Sequence, residues 1–158
     1  MYINNIEGLM DPVDLNWLYL KATEMNNIVE VGSLNGRSAC ALLNGCKGIV
    51  HCIDTFKIPG TYEAFIKNVG HFKNLDTHIS DSVKAANKFK NESIDMVFID
   101  ADHSYKAVKA DIEAWLPKTR KLICGHDYVP SWPGVRKAVD EKFNKINQAH
   151  NIWFYKIK

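Results

Sequence analysis

Short, nearly continuous apolar runs alternate along this chain with stretches whose apolar residues recur at helical spacing. Ile28–Ser33, Gly48–Asp54, Thr77–Ser80, Ile94–Asp100 and Leu122–Gly125 read as strands, and Arg37–Leu43, Thr61–Val69, Ser82–Phe89, Tyr105–Leu116 and Gly134–Phe143 as the helices between and after them. Asp11-Pro12 opens an earlier helix through about Met25, with Pro12 suited to the first turn and Leu15, Leu18, Tyr19 and Ala22 at helical spacing. The tail offers Lys145–Gln148 and Ile152–Ile157 as a closing hairpin around Ala149-His150-Asn151. Apolar strands alternating with helices predict an α/β fold: a doubly wound, mostly parallel seven-stranded sheet with helices on both faces. Residues 1–158 are expected to form a single domain, with 1–27 as a short N-terminal helical segment.

Such sheets bind ligands beyond the carboxyl ends of their strands. The predicted ends carry Gly32-Ser33, Asp54, Ser80-Asp81, Asp100 and His126-Asp127. One acidic end is readily explained by solvation, whereas acidic groups at four ends of one rim point to a site. Within Val29-Glu30-Val31-Gly32-Ser33-Leu34-Asn35-Gly36-Arg37-Ser38, a strand runs through a tight turn into a helix start. Gly32 and Gly36 would let a ligand approach the backbone there. A dinucleotide turn shows Gly-x-Gly-x-x-Gly, but the spacing here is Gly-x-x-x-Gly, which argues against an NAD-dependent oxidoreductase. Glu30 would repel a pyrophosphate and suits a ligand carrying positive charge. Asp54 can accept hydrogen bonds from ribose hydroxyls, which does not discriminate between nucleoside cofactors.

The bulk numbers narrow the partners. A formal net charge of +2 without a basic stripe speaks against nucleic-acid binding. The densest basic stretch, Lys118-Thr119-Arg120-Lys121, reads as a solvated loop. No apolar run reaches the ~20 residues of a membrane span. Cys40, Cys46, Cys52 and Cys124 form no Cys-x-x-Cys pair and sit among apolar neighbours, as core thiols do in a reducing compartment. The N-terminal stretch with Glu7, Asp11 and Asp14 does not read as a secretory leader, so a cytoplasmic location is expected.

The glycine-turn segment resembles the first motif of class I S-adenosylmethionine-dependent methyltransferases. Phe98-Ile99-Asp100-Ala101-Asp102-His103-Ser104-Tyr105, with Asp111, Trp115-Leu116-Pro117 and Gly125-His126-Asp127-Tyr128, resembles the subgroup labelled methyltransferase family 24. That subgroup is similar to metal-dependent catechol and sugar O-methyltransferases. The resemblance runs from about Asn26 to the C-terminus. It implies a Rossmann-like fold with S-adenosylmethionine as cofactor. Gly32, Ser33 and Gly36 would form the turn around its methionine part, with Glu30 supporting the loop and Ser38 beside it. Asp54 would hold the ribose, with Thr55 and Phe56 adjacent, and Asp81 and Ser82 would lie near the adenine. Asp100 would serve both cofactor and metal, with Asp127 as a second metal-binding carboxylate. By donor type alone, the oxygens of Asp100, Asp102 and Asp127 suit Mg²⁺ or another divalent metal. The Pro-Gly-Gly usual before strand five is replaced by Lys118-Thr119-Arg120, and His126 stands where relatives often carry an acidic ligand.

The implied reaction is O-methylation of a small-molecule acceptor. Asp100, His103 and His126 are the candidate catalytic residues, with either histidine as general base if no metal takes part. Two rivals remain: a non-catalytic relative that binds S-adenosylmethionine or S-adenosylhomocysteine, and the NAD-dependent oxidoreductase. Several side chains carry a structural alternative. Asp81, Asp102 and Ser104 could cap helices, His103 could be a hydrogen-bonded structural histidine, and Trp132 could anchor its loop instead of lining a pocket. His51, His71, His78 and His150 receive no role. A homo-oligomer is a further expectation.

Overall fold

The computed structural model describes residues 6–157; residues 1–5 and 158 of the expected single domain lie outside them. Seven strands form one sheet: β1 (Asn27–Val31), β2 (Ile49–Asp54), β3 (Leu75–Ile79), β4 (Ile94–Ile99), β5 (Thr119–Gly125), β6 (Asn147–Ala149) and β7 (Ile152–Lys156). Their order is β3-β2-β1-β4-β5-β7-β6. β1 to β5 run parallel, while β7 is antiparallel to both β5 and β6. The helices are α1 (Pro12–Ala22), α2 (Arg37–Gly45), α3 (Thr61–Val69), α4 (Ser82–Ala86), α5 (Tyr105–Trp115) and α6 (Pro133–Lys142). No helix among the described residues is long and apolar enough to cross a membrane.

Alternation along each strand divides the core into two layers. Ile28, Cys52, Met96 and Phe98 pack with α1 and α2 on one face, and Val29, Ile53, Val97 and Ile99 pack with α5 and α6 on the other. β1 therefore has protein on both faces and a parallel strand at each side. From β1 the chain winds outward through β2 to β3 and then crosses back to β4 on the other side of β1, which opens a crevice at the strands' carboxyl ends.

Boundaries follow local chemistry. Asp11 accepts the Val13 amide at 2.8 Å and Pro12 occupies the first turn of α1, which ends at Ala22 and does not reach Met25. α4 stops at Ala86 instead of Phe89, whose ring packs against Trp115. β3 begins at Leu75, earlier than Thr77.

The basic stretch is not a solvated loop. Lys118 closes a 3₁₀ turn, Leu116–Lys118, and Thr119 is buried as the first residue of β5. Arg120 Nε and Lys121 Nζ lie 2.7 and 3.0 Å from Oδ1 of the buried Asp95. Oδ2 of Asp95 accepts the Asn26 and Asn27 amides at 2.8 and 3.2 Å. Burial disfavours this carboxylate, but Arg120, the Asn26 amide and Lys121 outweigh it and hold its pKa below the usual range. The cluster thus joins the start of β1 to β4 and β5. Its stabilisation is present above the ordinary carboxylate pKa and fades as the pH falls below it. Asp95→Ala strands two backbone donors and is expected to cost about 2–3 kcal/mol at neutral pH, measurable by urea unfolding. An unchanged midpoint would show that the cluster adds nothing.

Candidate active site

The crevice opens into a cleft of about 860 Å³. Of the residues singled out in the sequence, Gly32, Ser33, Ser38, Asp54, Thr55, Asp81, Ser82, Asp100, Asp102, His103, His126 and Asp127 line it. Glu30 and Gly36 lie behind the wall.

The loop after β1 owes its shape to its neighbours as well as to any ligand. Gly32 has φ +88°, and a Cβ there would collide with the Asp100 carbonyl and the Ala101 Cα. The glycine therefore lets the ends of β1 and β4 close on each other. Gly36, at φ +87°, lies against Phe65 and Val69 of α3. Asp54 fastens this loop: its Oδ2 accepts the Ser33 and Leu34 amides at 2.9 Å each, and its Oδ1 accepts the Phe56 amide at 2.8 Å. A carboxylate has about four acceptor positions, so three bonds leave one free toward the cleft.

Glu30 differs from the expectation of a direct charge contact with the ligand. It is fully buried and receives the Ser33 hydroxyl on Oε2 at 2.5 Å, while Oε1 has no partner. Burial raises its pKa to about 7, with Asp100 adding a little and Ser33, Ser38 and Cys52 opposing. Glu30 supports the loop from beneath, which is the other role the resemblance implied.

At the opposite wall, Asp81 caps α4 by accepting the Lys84 amide at 3.1 Å, and Ser82 accepts the Trp115 indole at 2.8 Å. Asp111 of α5 also lines the cleft. Its carboxyl is pushed up to about 6 by burial, with Asp81 and Asp102 adding and Ser82 opposing. Asp111 falls within the motif of the resemblance, which implies no role for it.

The centre of the cleft is a cluster of charge. His103 Nε2 stands 2.7 Å from Asp127 Oδ2 and 3.4 Å from Asp100 Oδ1, and its ring stacks on Trp132 at 4.4 Å. His126 Nδ1 lies 3.4 Å from Asp127 Oδ1 and 3.9 Å from Asp100 Oδ2. Its Nε2 contacts the buried Asp14 at 3.0 Å. Asp14 comes from α1 and also meets His150 Nδ1 at 3.1 Å and the Asn151 amide and side chain at 3.3 and 3.2 Å. Asp127 itself has φ +58°, an uncommon conformation for a side-chain-bearing residue, at the turn that brings both His126 and Asp127 to the cluster.

These contacts set the protonation. Asp100 and then Asp127 raise the His103 pKa to about 10 against a lesser effect of burial. Burial works against the His126 charge, yet Asp127, Asp100 and Asp14 lift it to about 9. Burial opposes the Asp127 charge as well, but the two imidazoles hold its pKa well below the usual range. Both histidines are therefore cationic at neutral pH, so each must release a proton before acting as the general base expected from sequence. The sequence alone does not mark Asp14 as part of this cluster. The available signal was an acid among Leu15, Leu18 and Ala22 on the buried side of α1.

The metal set also differs in detail. Asp100 and Asp127 converge with His103, their ligand atoms within 4.8 Å of one another. Asp102 does not join this group; its Oδ1 accepts the Ser104 amide at 2.7 Å ahead of α5. His103 Nε2 is buried and makes no directed hydrogen bond, so its contacts with the carboxylates are electrostatic. The His103 Nε2 and the two carboxylates it meets fit a divalent cation that would displace the His103 proton. The nitrogen suits a transition ion better than Mg²⁺.

Residues 29–128 match the family described as Methyltransferase domain. No curated protein matches the chain by sequence. Among solved structures, an O-methyltransferase from Bacillus cereus in complex with S-adenosylhomocysteine is 19% identical, with a TM-score of 0.74 over 98% of this chain and 86% of that one. A SAM-dependent O-methyltransferase from Thermotoga maritima gives 0.75 at 13% identity, over 99% and 69%. An S-adenosylhomocysteine-bound methyltransferase from Podospora anserina gives 0.72 at 16% identity, over 95% and 80%. At these identities the likeness is one of fold.

Glu30 yields a pH prediction. The fold holds the Glu30 proton more tightly than the unfolded chain, so its favourable contribution is complete below pH 4.5 and is lost as the pH rises through about 7. Glu30→Gln does not titrate. Between about pH 4.5 and pH 8 the stability difference should therefore swing by about 3 kcal/mol in favour of the variant, at ~1.4 kcal/mol per pKa unit. Urea unfolding of both proteins across that range checks this, and parallel curves would exclude a raised Glu30 pKa.

Proposed function

The chain belongs to the methyltransferase-domain family that its residues 29–128 match, and we propose that it transfers a methyl group from S-adenosylmethionine to a hydroxyl oxygen of a small molecule. The observation that carries this reading is the cleft itself. It lies across the strand-order reversal, with the Asp54-braced glycine loop on one wall and the cluster of Asp100, His103, His126 and Asp127 at its centre. Bound there, S-adenosylmethionine supplies a methyl activated on a sulfonium. Ser33 and the surrounding loop would hold its amino-acid end, the free acceptor position of Asp54 its ribose, and Asp81 and Ser82 the rim nearest its adenine.

The chain's own part is positional and electrostatic. Holding an acceptor oxygen about 3 Å from a methyl carbon supplies a large share of such a rate. The acceptor must also pass its hydroxyl proton to a base, a role that falls to Asp100 on the cleft wall, while the cationic His103 and His126 face the charge developing on its oxygen. A divalent cation held by Asp100, His103 and Asp127 would lower the hydroxyl pKa as a Lewis acid. Trp132, stacked on His103, and exposed Leu9, Leu34, Ile58 and Val83 give the mouth apolar surface suited to a small organic acceptor. They form no track for nucleic acid, and the reading includes no membrane partner. A second subunit covering this mouth and a reducing, cytoplasmic setting for the four buried thiols belong to the same proposal.

Calorimetry with S-adenosylmethionine and S-adenosylhomocysteine tests the cofactor. Asp54→Ala, which also releases the loop, is expected to weaken binding by about 1–3 kcal/mol. Equal affinity in the variant would remove Asp54 from the site. Asp127→Asn should retain cofactor affinity and lose methyl transfer to hydroxyl acceptors. A protein that binds the cofactor yet methylates no hydroxyl compound, with or without divalent metal, is instead the non-catalytic relative.

A further inference from the structure

A second convergence of metal-ligating atoms lies outside the cleft. His51 of β2 is paired with Asp76 of β3, and His78 follows two residues along β3 on the same side of the strand. His51 Nδ1 and His78 Nε2 approach one oxygen, Asp76 Oδ2, at 2.8 and 3.0 Å, and the two nitrogens are 3.3 Å apart. The rings are mostly buried, and Phe89 packs against both at 5.1 and 5.7 Å. Asp76 is half exposed, which leaves a path from solvent.

These three atoms form a nearly equilateral triangle. With edges of 2.8, 3.0 and 3.3 Å its circumradius is about 1.8 Å, so a point about 2.0–2.1 Å from all three lies about 1 Å off their plane. That separation is the bond length of zinc to imidazole nitrogen and carboxylate oxygen. Two imidazoles and one carboxylate are also the donor types that favour zinc and its neighbours over Mg²⁺ or Ca²⁺. The strand pairing fixes all three donors on a rigid surface, so little side-chain ordering is left for binding to impose.

We propose that His51, Asp76 and His78 form a binding site for a divalent transition-metal ion of the zinc type, with its remaining coordination open to solvent. The ion ties the edge strand β3 to β2. Both strands continue from the site to the rim of the cleft, β2 to Asp54 and β3 to Ser80-Asp81. The proposal does not depend on what the cleft binds.

The test uses the full chain carrying Asp127→Asn, which takes one carboxylate from the cluster in the cleft. Titrating it with Zn²⁺ should show one equivalent bound and a melting temperature that climbs with Zn²⁺ concentration, whereas Mg²⁺ should leave it unchanged. Adding His78→Gln should weaken Zn²⁺ binding by about tenfold or more, at ~1.4 kcal/mol per decade, and remove the thermal gain. Imidazole ¹⁵N spectra of the unsubstituted protein give a readout that requires no variant. His51 Nδ1 and His78 Nε2 should shift together and saturate with Zn²⁺. Zinc that leaves both nitrogens unmoved, a thermal gain that survives His78→Gln, or no zinc binding at all would each overturn the site.

Discussion

A carboxylate removed from water must be answered by protons or cations, and the centre of this molecule is arranged around that requirement. Asp14 enters from α1 with no solvent contact and is met by His126, His150 and Asn151. His126 then turns its other nitrogen toward Asp127 and Asp100, and His103 stands across from the same pair. Two imidazoliums among three aspartates keep the charge of the cluster close to balanced. The first helix, the ends of two central strands and the hairpin turn at His150 are thereby locked together. α1 is accordingly part of the cleft's chemistry as well as a cover for the sheet.

The parallel part of the sheet was legible because buried parallel strands leave continuous apolar runs, as in Ile94–Ile99. The rim was legible for the same reason: each run ends in a polar residue. Misreadings arose where distant partners decide the outcome. Arg120 and Lys121 look like a solvated loop until Asp95, some 25 residues earlier, turns them into a strand start. Asp14 and His126 are 112 positions apart, and no local pattern joins them. His51 and Asp76 meet only through the β2–β3 register. The alternation of Asp76 and His78 along β3 was a visible hint, but it gains meaning only once that register is known.

The loop after β1 shows stability being traded for function. Gly32 and Gly36 accept positive φ so that strand and helix can close around the turn. Glu30 beneath it has one oxygen bonded to Ser33 and the other to nothing. An apolar residue would suit a position between Val29 and Val31 in a strand buried on both faces. A carboxyl there holds Ser33 in place at the cost of a desolvated acid, a local conflict of the kind expected where function sets the residue.

The two margins of the sheet carry one more consequence. β6 spans only three residues, and β3, at the other margin, reads Leu-Asp-Thr-His-Ile. Both offer a poor template to a stray strand from another molecule, one through brevity and the other through its ionisable side chains. The residues that gather on β3 thus also help keep this protein from polymerising edge to edge.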